Sequence, residues 1–176
     1  MKFYDFLESN AKADGIERLV VGAIITNEKG EIFLAKRKAD DFMGGIYEIP
    51  GGNAKKGENI LDTLIREIKE ETNLDIKKVV SYIDQFDYLS GSCKKCRQFN
   101  FKVEVTGGPI LLTEHDSYKW MSLSDIENEN NISPEVKHGL LVYKFNEEQK
   151  TQRSKSNGWK DKNSKKNTRI CERTNN

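Results

Sequence analysis

Residues 19–26 read "LVVGAIIT", an almost unbroken β-branched run, and after the turn "NEKG" a second run, "EIFLAKRK", follows. The pair reads as a hairpin over residues 19–38 with one deeply buried strand. The next stretch, "ADDFMGGIYEIPGG", is broken by Gly44, Gly45, Pro50, Gly51 and Gly52, which leaves room for a short strand over residues 46–49 before a loop. A helix then takes over. Asn59 can cap it, with Asp62 three residues on, and Ile60, Leu61, Leu64, Ile65 and Ile68 recur at three- and four-residue spacing as an apolar stripe ending at Asn73. Residues 76–89 and 95–105 surround "SGSCKK" as a second hairpin, and residues 117–121 offer one more strand. "SLSDIENE" and "SPEVKHGLLVYKF" read as two further helices, the latter with Ser133 as cap and Pro134 in first position. Residues 1–17 form an N-terminal segment with a short helix. The pattern predicts an α/β (α+β) fold, a mixed β-sheet sandwiched between α-helices, and excludes a doubly wound sheet or a β-sandwich.

Charge divides the chain after residue 149. Of 29 Lys+Arg and 28 Asp+Glu, residues 150–176 hold nine and two, leaving 20 and 26 in residues 1–149, so a basic end of net +7 follows a body of net −6. That end carries Trp159, Ile170 and Cys171 as its only apolar side chains, too few to offset the entropy of ordering 27 residues. It reads as a disordered, solvated tail, able at most to make weak nucleic-acid contact through Lys, Arg and one stacking Trp. No apolar stretch approaches the ~20 residues that span a bilayer, and Asp5 and Glu8 interrupt any signal-like run. A cytoplasmic location is expected, and the odd set Cys93, Cys96 and Cys171 suits a reducing compartment.

The chemistry concentrates on the capped helix. With ~100° per residue, Glu67, Glu70 and Glu71 fall within an arc of roughly 100° beside the apolar stripe, with Lys69 turned away. Like charges so placed repel, and a hard divalent cation compensates them: Mg²⁺ takes carboxylate, carbonyl and water oxygens and binds substrate phosphates. A solvated acidic face is the other reading of the helix alone.

Residues 52–74, "GNAKKGENILDTLIREIKEETNL", resemble the Nudix box, G-x5-E-x7-R-E-U-x-E-E-x-G-U with U apolar. Gly52, Glu58, Arg66, Glu67, Ile68, Glu70, Glu71 and Leu74 match at the required spacings. Asn73 stands in the position of the last glycine, where a left-handed residue follows the helix and Asn is the next-best choice. The likeness extends through most of residues 18–145 and is nearest to the mutator-type nucleotide hydrolases. It implies a Mg²⁺- or Mn²⁺-dependent pyrophosphohydrolase in which Glu67, Glu70 and Glu71 bind the metal, completed by the Gly51 carbonyl and by Glu114 of "TEHDSYKW". It further implies that Arg66 orients a glutamate, that Glu58 supports the site by pairing with Arg66, and that Glu67 is the base, with Glu70 or Glu114 as alternatives. Arg37, at the end of the second strand, occupies the place of a substrate-contacting basic residue or is an ordinary surface arginine.

The substrate class implied is a nucleoside diphosphate linked to another group, acted on by a monomer or homodimer. A nucleoside triphosphate is expected over ADP-ribose, a dinucleoside polyphosphate or coenzyme A, whose usual markers (a Pro some fifteen residues past the box, a Tyr a little beyond Tyr88, a second Arg before "PGG") are missing. A non-catalytic nucleotide sensor of the same fold is the rival. Phe86, Tyr88 and Phe99 are candidates for stacking on a base or for cross-strand packing. The single Cys93-x2-Cys96 pair and His115 read as incidental.

Overall fold

The structure, a computed structural model, describes residues 3–41 and 43–171, with side chains described as far as residue 153. In chain order the elements are α1 (Phe3–Ala13), β1 (Arg18–Ile25), β2 (Ile32–Arg37), β3 (Tyr47–Glu48), β4 (Gly51–Asn53), α2 (Ile60–Thr72), β5 (Ile76–Leu89), β6 (Lys95–Val105), β7 (His115–Met121), α3 (Leu123–Asn128) and α4 (Pro134–Cys171). β1 buries every residue from Val20 to Ile25, on both faces, and such a strand belongs inside a sheet. It lies between β4, antiparallel, and β6, parallel, with β5 paired to the far side of β6.

The expected hairpin over residues 19–38 is corrected here. β2 belongs to a second sheet, order β3-β2-β7, and is joined to the end of β1 by an isolated bridge between Thr26 and Ile32. A strand has two edges: β4 and β6 take those of β1, and β3 and β7 take those of β2. The expected mixed sheet is therefore two sheets within the same α+β class. The glycine-rich stretch read as a loop supplies β4, whose Gly51 and Gly52 pair with Gly22 and Val21.

One face of the four-stranded sheet carries Val21, Ala23, Phe99, Phe101 and Val103, packed with Leu7 and Ala11 of α1 and Ile60, Leu64 and Ile68 of α2. This is the main core. Ile65, placed by periodicity in the apolar stripe, is 45% exposed, and Thr63 is buried instead, its hydroxyl donating to the Asn59 carbonyl at 2.8 Å. Where the sheet leaves the core, Arg97 of β6, 6% exposed, grips Asp87 of β5 through two hydrogen bonds of 2.6 and 2.7 Å and Asp14 beyond α1 at 2.7 Å. Residues 134–141 begin α4, over the opposite face, where Gly139 approaches Asn100 and Asp84.

The chain divides into two compact units, residues 1–141 and 142–176. α4 continues as far as Cys171. The Trp159 side chain and the Lys and Arg side chains beyond residue 153, on which the expected nucleic-acid contact rests, lie outside the described residues. Among the described residues no helix is long and apolar enough to cross a membrane.

Candidate active site

α2 is fixed at both ends by local chemistry. The Asn59 side chain accepts from the Asp62 N–H at 2.9 Å, and Asn73 takes φ 62° with its amide donating to the Lys69 carbonyl, the left-handed stop that Asn tolerates. Between these ends, Arg66 gathers the box carboxylates. Its Nε and Nη2 donate to the two oxygens of Glu58, both at 2.7 Å, in a bidentate pair. Nη1 donates to Glu67 at 2.8 Å and to Glu70 at 2.9 Å, and Nη2 also reaches the Asn53 carbonyl of β4 at 3.0 Å. Glu58 further accepts from the Lys55 N–H and the Thr63 hydroxyl. The Arg66 pair, with these bonds, holds its carboxyl down to about 2.

Glu71 faces inward and accepts from the Gly51 N–H at 2.9 Å. Burial pushes its carboxyl up to about 8, with Glu48 and Glu67 acting in the same direction and the Gly51 N–H and His115 opposing. Glu67 is also raised, by burial first and then by the charges of Glu70 and Glu114, against the pull of Arg66. Glu70 is lowered, because Arg66 and Lys55 both pair with it. Gly52 is a glycine because the Glu67 carboxyl occupies its side-chain space: a Cβ there would lie 2.5 Å from the Glu67 Cδ.

Glu114 is exposed and its loop is tied to the helix by Thr113, whose hydroxyl donates to the Glu70 carbonyl at 2.8 Å. Arg37 lies across the site in contact with Glu48 at 3.2 Å and Asp41 at 2.7 Å. Periodicity had no means of finding Glu48 and His115. His115 is buried at the start of β7, with Nε2 2.9 Å from a Glu48 oxygen, and is no incidental loop residue. Burial lowers its pKa, but the Glu48 hydrogen bond and the Glu71 charge outweigh that and raise it. The chain Arg37–Glu48–His115 thus lies against the same end of α2 as Glu71.

The donor set is all oxygen, which suits a hard divalent cation. Burial first, and neighbouring carboxylates after it, push Glu67 and Glu71 up, so without a cation the site disfavours ionising both. Among the described residues no three carboxylate, imidazole or thiol groups already converge as a ligand shell; Glu67 and Glu70 are turned to Arg66. The donor chemistry of these residues fits such an ion.

Next to the box lie two adjoining cavities, of about 110 Å³ at Gly51 and Gly52 and about 300 Å³ bordered by Phe86, Ser133 and Glu135; Glu48, Tyr88, Gln98 and Val136 line both. Phe86 and Tyr88 therefore face open space, while Phe99 is fully buried in the core on the other face. Cys93 is exposed and Cys96 buried, and neither is in a disulfide.

A mixed two-sheet fold with a guanidinium-bound glutamate helix beneath a glycine-rich strand has known counterparts. Residues 17–140 match the family described as NUDIX domain, and the chain belongs to that family. It is 31% identical over 116 residues to an 8-oxo-dGTP diphosphatase of Buchnera aphidicola, a match covering 66% of this chain and 85% of that one. It is 32% identical over 120 residues to an RNA pyrophosphohydrolase of Ruthia magnifica, covering 65% and 58%. A NAD-capped RNA hydrolase of Pseudomonas putida is matched over 36% of its length. The MutT protein of Methanosarcina mazei has the same fold, with TM-score 0.66 and 26% identity over 76% of this chain and 95% of that one. The protein is thus a hydrolase of the MutT-like Nudix type.

Proposed function

We propose that the protein is a Mg²⁺-dependent (or Mn²⁺-dependent) pyrophosphohydrolase of nucleoside triphosphates or their oxidised forms, with water attacking phosphorus. The observation that carries the reading is the single guanidinium of Arg66 holding Glu58, Glu67 and Glu70 together beside the Gly51–Gly52 strand. Glu67, Glu70, Glu71, the Gly51 carbonyl and Glu114 would hold the ion, which when bound supplies charge neutralisation at phosphate and acidifies water. Glu67 is the base. Its desolvated carboxyl, raised in pKa, is a better proton acceptor than an ordinary glutamate, and Arg66 fixes one oxygen so that the other is presented. Glu58, bidentate on Arg66, keeps the guanidinium in place. Arg37 would meet substrate phosphate by exchanging Asp41 or Glu48 for it.

The relative named 8-oxo-dGTP diphosphatase supports a triphosphate substrate. The test is kcat/KM with Mg²⁺ across the four normal deoxynucleoside triphosphates, 8-oxo-dGTP, ADP-ribose, diadenosine tetraphosphate and coenzyme A. A triphosphate is expected to lead. ADP-ribose tenfold ahead of every triphosphate would overturn the substrate class, and tight nucleotide binding with no turnover of any compound would make the protein a sensor.

The basic end has no part in this chemistry. Removing residues 150–176 is expected to leave turnover of a small nucleotide within about twofold of the full chain; a tenfold loss in the same assay would show that the end belongs to the site.

A further inference from the structure

We propose that Gln98 reads the base of the substrate as a fixed hydrogen-bond acceptor, and that Asp84, acting through Asn100, fixes it. This deepens the nucleotide reading and rests on it. Strand alternation puts Asp84, Phe86 and Tyr88 of β5 on one face with Gln98 and Asn100 of β6, away from the Phe99–Phe101 core. Register sets Asn100 opposite Asp84 on one side and Gly22 on the other, and Gln98 opposite Phe86 and Val20.

On that face the side chains form a relay. Gln98 Nε2 donates to Asn100 Oδ1 at 2.9 Å, and Asn100 Nδ2 donates to Asp84 Oδ1 at 2.9 Å. Its direction is set at the Asp84 end. An ionised carboxylate only accepts, so Asn100 must offer its NH₂ there; its carbonyl is left for Gln98, which must offer its own NH₂ in turn. Oε1 of Gln98 is thereby the outward end of the relay, at a residue that lines both cavities beside the box.

The space around the relay is kept for it. A Cβ on Gly22 would lie 2.5 Å from Asn100 Oδ1 and 2.8 Å from Gln98 Nε2, and one on Gly139 would lie 3.1 Å from Asn100 Nδ2 and from Asp84 Oδ2. Asn100 is 1% exposed, and Asp84 Oδ2 is buried without a partner. Apolar residues would fill this sheet face without leaving that oxygen unsatisfied, so the network is a costly way to pack a core and an effective way to orient an amide. Phe86 and Tyr88, with ring centroids 5.9 Å apart and planes inclined by 39°, offer a flat ligand an aromatic face beside Gln98. An acceptor so placed favours a base with an N–H donor on its edge, such as an aminopurine. A base without one leaves Oε1 desolvated and unpaired.

Gln98 is the base-contacting residue and Asp84 a positioning residue. The test compares kcat/KM with Mg²⁺ within two pairs that each differ by one amino group: ATP against purine riboside triphosphate, and GTP against ITP. The wild-type protein is expected to favour the amino-bearing member of at least one pair about tenfold. In Gln98→Leu that ratio should fall to near one, whatever the absolute rates. In Asp84→Asn, whose amide no longer dictates which way Asn100 points, the ratio should fall at least threefold while the melting temperature at neutral pH holds or rises. An absent wild-type preference, or a ratio untouched in either variant, overturns the proposal. Equal losses on both members in Asp84→Asn would make the relay structural only. If no triphosphate is turned over at all, the nucleotide reading fails first and this inference with it.

Discussion

Glu71→Gln is expected to lower kcat at least about 100-fold, since losing a mere supporting partner of a metal ligand already costs roughly 10- to 100-fold, while making the metal-free protein more stable. The two effects have one origin. Glu71 is buried, and its carboxyl is held at about 8 by burial and by Glu48 and Glu67. In EDTA the folded protein therefore holds a proton between pH ~4.5 and ~8 that the unfolded chain has released, so stability grows as pH falls through that window and shrinks as pH rises across it. Glutamine keeps an acceptor for the Gly51 N–H and has nothing to ionise. Its melting temperature in EDTA should exceed the wild type's at pH 8, by roughly 2–4 °C per kcal/mol gained, and should respond less to pH. The rise produced by Mg²⁺ should shrink. Glu70→Gln separates the effects: it should lose turnover without gaining stability, because Glu70 is paired with Arg66 and Lys55. Near-normal turnover in either variant would remove that glutamate from the metal assignment.

Gly51→Ala should cost the fold itself. A Cβ at Gly51 would lie 2.0 Å from the Val21 carbonyl oxygen and 2.9 Å from the Gly22 Cα. Both are backbone atoms of a strand buried on both faces, and neither can retreat without breaking the β1–β4 pairing. A loss beyond about 4 kcal/mol is expected, which at the same scale is more than about 8 °C, measured by thermal denaturation. The atoms nearest a Cβ at Gly52 are those of the Glu67 carboxyl group, the end of a side chain that can turn away. Gly52→Ala should melt near the wild type and lose turnover. If the two alanines behaved alike in the melt, backbone crowding at Gly51 would not be what requires the glycine.

The contrast between these neighbouring glycines marks what the sequence can convey. The helix Ile60–Thr72 was legible to its caps, because Asn59, Asp62, its periodicity and Asn73 act within one or two turns of one another. The box residues were legible for the same reason: fixed spacing on one helix. Glu48 and His115 were not, since they meet only when β3 and β7 flank β2 from opposite sides, and 67 positions separate them in the chain. The hairpin over residues 19–38 was misread because apolar runs say that a strand is buried and not which strand lies beside it. The Asp84–Asn100–Gln98 relay left a faint mark, polar residues at alternate positions of β6. Alternation reads equally well as a solvated face, and only the arrival of Gly139 over it shows otherwise.

The parallel pairing of β1 with β6 also governs when the fold can form. Val21 lies beside Phe99 in that ladder, so on the ribosome the run "LVVGAIIT" emerges more than seventy residues ahead of its neighbour. Until β6 follows, β1 has an open edge and two apolar faces, a form that invites pairing with other chains. Closing that long loop is the slow event a low-order helical protein avoids. The most buried strand of the native molecule is thus the most exposed liability of the nascent one.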